Sequence, residues 1–425
     1  MKFYEEPKRQ IPVTHEVDVL VVGAGPAGVC AAISAARMGA DTMLIEQQGA
    51  VGGIATVGLM SHWTGRSGSK LYHEILQRSA AQNEGEYKDK VTITIDPEKL
   101  KQLFLTMLDE AGAKLQLYTF ASGVIMEDDR VTGVICESKS GREAIMAKVV
   151  IDASGDGDVA AKSGAAYTLG REQDGKMQPA TIMFKVGDVD TERAVFLGSF
   201  ESTYETPRGE LQALARKHIP FPAGHVLLYE STLPGVVTCN MTNAIDIDGT
   251  KAADLTRAEI VCRSQMDEIV RFLREFVPGY ENCFIISSAS LIGIRETRHF
   301  KGVAQITEED ILASRQFDDW VVRDASFNFD VHNITGAGLD ETGAQKEFPE
   351  IDGYTIPYGC LVPEKIDGLL LSGRNISGTH MAHSNFRVMP ICAGIGEAGG
   401  IAAAICVKEG ILPRDVDVKK IQKEL

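Results

Sequence analysis

No two of the eight cysteines lie within three residues of each other: they are Cys30, Cys136, Cys239, Cys262, Cys283, Cys360, Cys392 and Cys406. That spacing excludes a CxxC redox pair and the usual zinc and iron–sulfur ligand sets. Scattered thiols suit a reducing compartment, so a cytoplasmic protein is expected. Positive charge is also short, the formal net charge being −16. Nucleic-acid phosphates and anionic membrane surfaces would be repelled, so no nucleic-acid partner is expected, although a local basic pocket for an anionic substrate stays open. Long apolar runs are missing too. Residues 391–407 come nearest, but they are short, rich in Gly and Ala, and interrupted by Glu397. They read as a buried helix, and no integral membrane segment is expected. Residues 1–16 are polar, so no cleavable signal is expected. Internal repeats and low-complexity segments are absent.

What is present is a chain of 425 residues with 44% hydrophobic and 24% charged residues, ordinary values for a globular protein and enough length for two or three domains. Its most informative stretch is 17–53. Val17 to Val22 is a nearly all-apolar strand. Gly23-Ala24-Gly25-Pro26-Ala27-Gly28 follows, then an Ala-rich helix to Met38 with Gly39 as its stop, a second apolar strand from Thr42 to Ile45, and Glu46. In such a unit the first glycine permits the tight turn, the second lets backbone approach a pyrophosphate, and the third lets helix and strand pack closely. The helix N-terminus offers free N–H groups to the phosphates. Glu46 comes eighteen positions after Gly28, near the about 20 expected of a ribose-binding acid. An acid with no Arg beside it suits a free ribose diol.

After the acid come Gly52-Gly53 and, five residues on, Gly58. This resembles the double-glycine signature of FAD proteins in the glutathione-reductase-like superfamily, on the branch of fumarate reductase and succinate dehydrogenase flavoproteins. Two further blocks add to the resemblance. Asp152-Ala153-Ser154-Gly155-Asp156 is similar to the segment that returns to the FAD phosphates. Gly373-Arg374, followed by Arg387-Val388-Met389-Pro390, is similar to the C-terminal FAD segment of a large family of FAD-dependent oxidoreductases. The resemblance implies an α/β fold: a discontinuous Rossmann-like FAD-binding domain with a β-meander, residues 1–165 and 351–425, around a central α+β cap that carries the substrate wall, residues 166–350. It implies FAD contacts at Gly23, Gly25, Pro26, Ala27, Gly28, Glu46, Gln47, Gly52, Gly53, Ile54, Ala121, Ala153, Ser154, Gly155, Gly373, Arg374, Arg387, Met389 and Pro390. Residues 47–51 contain no histidine, which argues against covalent flavin attachment.

Other elements follow from local pattern. Leu71 to Ala81 has helical periodicity. Asp96-Pro97 opens a helix whose apolar face runs through Leu100, Phe104 and Leu108 to a stop at Gly112. Residues 114–153 read as an antiparallel meander of four runs beginning with LQLYTF. In the cap, Thr256-x-x-Glu259 reads as the capping box of a long helix that ends at Val277-Pro278-Gly279. A strand from Ile285 to Ile294 leads to Arg295-Glu296-Thr297-Arg298-His299. Gly394-x-Gly396-x-x-Gly399 matches GxGxxG as text, but it lies inside a helix with no strand before it. Gly155-x-Gly157-x-x-Ala160 lacks the following strand and acid. No NAD(P)H domain is therefore expected.

The candidate catalytic residues are His380, His383 and Arg295. The two histidines sit between Gly373-Arg374 and Met389-Pro390, in a segment read as a loop crossing the flavin, and histidine exchanges protons near neutral pH. Arg295 suits bidentate anion recognition. Trp63, Asp330, His332 and Tyr358 are weaker candidates. His380 and His383 have no third ligand near them in sequence, so no metal is expected. The expected activity is hydride transfer between FAD and a small polar organic substrate, at CH–OH or CH–CH. The electron acceptor is unknown, and the oligomeric state is open, a homo-oligomer included. The alternatives are a biosynthetic protein resembling thiazole synthases or tRNA-modifying flavoproteins, and a non-catalytic FAD-binding protein.

Overall fold

A computed structural model describes residues 2–82, 92–339 and 353–425. The chain opens with strand β1 (Val13–Val22), helix α1 (Pro26–Arg37) and strand β2 (Thr42–Ile45). Helices α2 (Lys70–Gln82) and α3 (Pro97–Ala111) follow. Asp96 caps α3 by accepting from the N–H groups of Glu98 and Lys99, and Gly112 ends it in the left-handed region at φ 76°. Strands β3 (Lys114–Gln116), β4 (Phe120–Glu127), β5 (Arg130–Ser138) and β6 (Gly141–Asp152) complete the first half.

These strands form one sheet in the order β3-β2-β1-β6-β5-β4. β1 runs parallel to β2, with Val22 opposite Ile45, and parallel to β6, with Val22 opposite Asp152. Both glycine-rich turns thus emerge at the same sheet end, where ligands bind in open α/β sheets. The meander has three strands rather than four. Tyr118 adopts φ 54° and breaks LQLYTF in two, and the first piece, β3, pairs parallel to β2.

The cap has its own four-stranded sheet of β7 (Phe184–Gly187), β8 (Leu228–Glu230), β9 (Val237–Cys239) and, after the long helix α4 (Ala252–Phe276), β10 (Phe284–Ser288). α4 begins four residues before the expected cap. Asp248 and Asp254 build a turn that starts it early, so Thr256 lies inside the helix and donates back to Ala252 O. The strand expected over Ile285–Ile294 ends at Ser288.

Two hydrophobic clusters form. The cap cluster draws on residues 180–292 together with Leu59. Phe300, Ile306, Ile311, Val322 and Phe329 were expected in the cap, but they join the cluster of the first sheet. The boundary expected at residues 350/351 lies outside the described residues. The chain returns through β11 (Leu369–Leu371), which pairs parallel to β6, then α5 (His380–Phe386) and α6 (Met389–Glu409). α6 is long and apolar enough to cross a membrane, yet it is buried in this fold. Its Glu397 accepts from Ser69 Oγ at 2.5 Å and from Leu71 N at 3.2 Å, so the carboxyl group that interrupts the apolar run caps α2.

Candidate functional site

A cavity of about 570 Å³ runs from the first glycine turn to the cap. At one end the turn is built by contacts only glycine allows. A Cβ at Gly23 (φ +96°) would lie 2.6 Å from Ala153 O, and one at Gly28 would lie 1.8 Å from Gly23 O. A Cβ at Gly25 meets nothing within 4 Å, and Gly25 lines the cavity. Gly25 is the N-cap of α1 and has no side-chain partner there, so the first N–H groups of the helix remain for a ligand.

Glu46 is buried and lines the same end. One carboxylate oxygen accepts from Ala24 N at 2.7 Å, the other from Gln48 N at 2.8 Å. Each oxygen keeps a lone pair for a hydroxyl donor. Of the other expected FAD contacts, Pro26, Ala27, Gln47, Gly53 and Ile54 line the cavity, as do Ala121, Ala153, Ser154 and Gly155, and Gly373, Arg374, Arg387 and Met389. Gly28, Gly52 and Pro390 do not. Gly28 packs the helix on the turn, Gly52 (φ +101°) donates its N–H to Ala24 O at 2.6 Å, and Pro390 lies in the first turn of α6. An open-space glycine, an uncapped helix start and a part-used buried acid fit FAD's pyrophosphate and ribose. Val388, the N-cap of α6, also lacks a side-chain bond, and Val388, Met389 and Cys392 line the cavity, so a second uncapped helix start faces it. Glu46→Ala is expected to weaken FAD binding about 10- to 100-fold, because a charge-assisted bond contributes about 1.5–3 kcal/mol. Titration of FAD into apoprotein measures this, and a folded variant with unchanged affinity would leave Glu46 with a packing role only.

At the other end the cavity meets Arg295, Arg387, Asp330 and His332. Arg295 Nη1 donates to Pro179 O at 2.6 Å and Thr181 Oγ1 at 2.9 Å. Arg387 Nη2 donates to Asp330 O and Oδ2, and His332 Nε2 bonds the same Oδ2 at 3.2 Å. Burial, then the charge of Arg387, lowers the Arg295 pKa to about 10. Burial, then Arg295, lowers that of His332 to about 4, so its imidazole is neutral at pH 7. Burial alone would raise Asp330, but His332, Arg387 and Arg295 outweigh it and hold the carboxylate ionised. His62 stacks on Tyr229 with ring centroids 4.0 Å apart, and both line the cavity. Neither was singled out as a site residue. Tyr229 sits on β8 with no motif around it, and His62 opens a short strand, His62–Thr64, whose approach to Tyr229 no local spacing reveals.

His380 and His383 are buried and do not line the cavity. The expected loop is instead α5, capped by Thr379, and it turns both rings away. His380 Nδ1 bonds Glu296 Oε1 at 2.5 Å and His299 Nε2 bonds the same oxygen at 2.8 Å, while Gln178 N donates to the other oxygen at 3.1 Å. Burial pushes His383 well below its ordinary pKa. Among the described residues, Glu296, His299 and His380 are the one group of potential metal ligands to converge, within 4.8 Å. Two imidazoles already share the carboxylate, while Nδ1 of His299 is buried without a hydrogen-bond partner. Trp63 is fully buried and stacks on Tyr72, and Tyr358 donates to Pro413 O; neither reaches the cavity.

The sequence matches the family described as FAD dependent oxidoreductase over residues 18–425. Curated relatives include digeranylgeranylglycerophospholipid reductase 2 of Methanopyrus kandleri, 29% identical over 33% of this chain and 38% of that protein. A thiamine thiazole synthase of Methanococcus maripaludis is 29% identical over 37% of this chain and 61% of the relative. The matches thus span less than two thirds of either relative. Among solved structures, a geranylgeranyl bacteriochlorophyll reductase-like protein from Thermoplasma acidophilum has the same fold, with a TM-score of 0.53, 16% identity, and coverage of 96% of this chain and 82% of that one.

Proposed function

From its membership of the FAD dependent oxidoreductase family, to which this chain belongs, we propose that it moves a hydride between a small polar organic substrate and FAD. The observation that carries this reading is that one continuous cavity is lined both by the nucleotide cradle and by the Arg295–Arg387–Asp330–His332 wall. FAD, when bound, supplies the two-electron centre. Arg295 and Arg387 orient the substrate. His332, neutral and tied to Asp330, takes the hydroxyl proton when CH–OH is oxidised and returns it in reduction. Electrons then pass to an acceptor such as O2, a quinone or a protein. CH–CH chemistry uses the same wall with the proton moving at carbon.

The fumarate reductase and succinate dehydrogenase branch remains our reading of the paired glycines; the relatives named above are of other kinds. A cytoplasmic location is our reading of eight buried, unpaired cysteines. The test is anaerobic bleaching of the bound flavin by a panel of alcohols, hydroxy acids and sugars. No bleaching by any donor, and no reoxidation of chemically reduced flavin by alkenes or carbonyls, would favour a non-catalytic role. With a reactive alcohol, His332→Gln should retain flavin and slow reduction about 10²- to 10⁴-fold, the usual range for a general acid–base group. Because His332 is neutral above about pH 4, the wild-type rate should fall only as pH drops toward that value. Stopped-flow absorbance across pH checks both, and a rate unchanged in the variant would remove His332 from the mechanism.

A further inference from the structure

We infer that the substrate is a small carboxylate whose carboxyl group bridges Arg295 and Arg387. This deepens the oxidoreductase reading above and rests on it.

The wall carries two guanidinium groups and one carboxylate. Asp330 Oδ2 is already engaged by Arg387 and His332, and the cavity's other acids lie elsewhere: Glu46 with its backbone donors, Asp156 on Arg374, Asp158 on Arg298, and Glu201 at the exposed rim. With neutral histidines the wall therefore holds an excess of one positive charge. A buried charge without a counter-charge is costly, and a bound anion relieves it.

The donors are also prepared. Arg295 Nη1 is pinned by Pro179 O and Thr181 Oγ1, which fixes the fork, while Nε and Nη2 have no partner among the described residues. Arg387 is pinned in the same way through Nη2, and its Nη1 has no such partner. Planar guanidinium groups held like this match the two oxygens of a carboxylate. The same cavity is lined by Met183, Phe200, Leu227 and the stacked His62–Tyr229 pair, apolar and flat surfaces against which a short carbon skeleton can lie.

The experiment uses the FAD-loaded full chain. Malonate, malonamide and inorganic phosphate are titrated in turn, followed by perturbation of the flavin absorbance and by the rise in melting temperature. Malonate is expected to bind, malonamide to bind at least tenfold more weakly, and phosphate to compete poorly. Arg295→Gln is expected to weaken malonate at least tenfold, and Arg295→Lys to recover only part of this because the fork is lost. Malonamide binding as tightly as malonate, or a malonate Kd within threefold of wild type in Arg295→Gln, would overturn the proposal. Phosphate binding more tightly than malonate would overturn it in favour of a phosphorylated substrate. Flavin reduction by lactate or malate, compared with propane-1,2-diol, separates the two readings. Reduction by the neutral diol alone sinks the carboxylate proposal and leaves hydride transfer standing. Tight malonate binding with no redox partner found sustains the carboxylate site and counts against the oxidoreductase mechanism.

Discussion

Gly396→Val is expected to yield no folded, flavin-loaded protein. A Cβ at Gly396 would lie 2.1 Å from Ala27 O and 2.9 Å from Ala27 Cα, and four residues on a Cβ at Gly400 would lie 2.2 Å from Ala31 O. Both clashes are with the backbone of α1, which no rotamer change relieves. Overpacking a core costs about 1–3 kcal/mol when side chains can shift, and here a whole helix must move. Ala27 also lines the cavity, so pushing α1 off α6 displaces the nucleotide cradle itself. Gly399→Ala is the control, because its Cβ would approach only Ser372 Oγ at 3.8 Å. Soluble yield, thermal melting and flavin content measure the effect. A Gly396→Val protein that melts near wild type with full flavin would contradict the close helix contact.

Glu296→Leu is expected to destabilise the protein by about 3–5 kcal/mol, the usual cost of removing one partner from a buried charged network. Three donors lose their acceptor: His299, His380 and the Gln178 N–H. They tie the cap segment next to Arg295 to α5, so the substrate wall should loosen as well. Burial would raise the Glu296 carboxyl, but the two histidines outweigh it and hold its pKa far below the ordinary carboxylate value. A carboxylate depressed in this way stabilises the fold fully above its unfolded pKa of about 4.3 and loses that contribution as pH falls toward the folded value. The gap between wild type and Glu296→Leu should therefore be full at pH 7 and shrink below about pH 4.3. Urea denaturation of both proteins at pH 7 and near pH 3.5 tests the sign, and a gap that widens in acid would refute it. His380→Ala should lower stability but slow flavin reduction by less than about fivefold, far below the range for an acid–base group. A larger kinetic loss with normal stability would return His380 to the chemistry.

The nucleotide half was legible because its physics is local. Gly23, Gly25, Gly28 and Glu46 act within one strand–turn–helix–strand unit, so spacing along the chain fixes where they sit in space. The same reasoning placed Gly396 inside a helix rather than at a phosphate, since no strand precedes it. The substrate wall is the opposite case. Arg387 meets Asp330 across 57 residues and Arg295 meets Thr181 across 114, and no periodicity encodes such pairings. His380 and His383 have suitable chemistry in a suitable place along the chain. Which way they point depends on the phase of α5, set by its Thr379 cap, and on Glu296 arriving from the segment after β10. Thr256 likewise has the right neighbours for a capping box, yet the Asp248 turn starts α4 earlier. Residue types and local spacing thus determined the fold class and the cofactor end. Only tertiary packing decided which charged side chains reach the cavity, because a side chain's direction depends on helix phase and on partners far away in sequence.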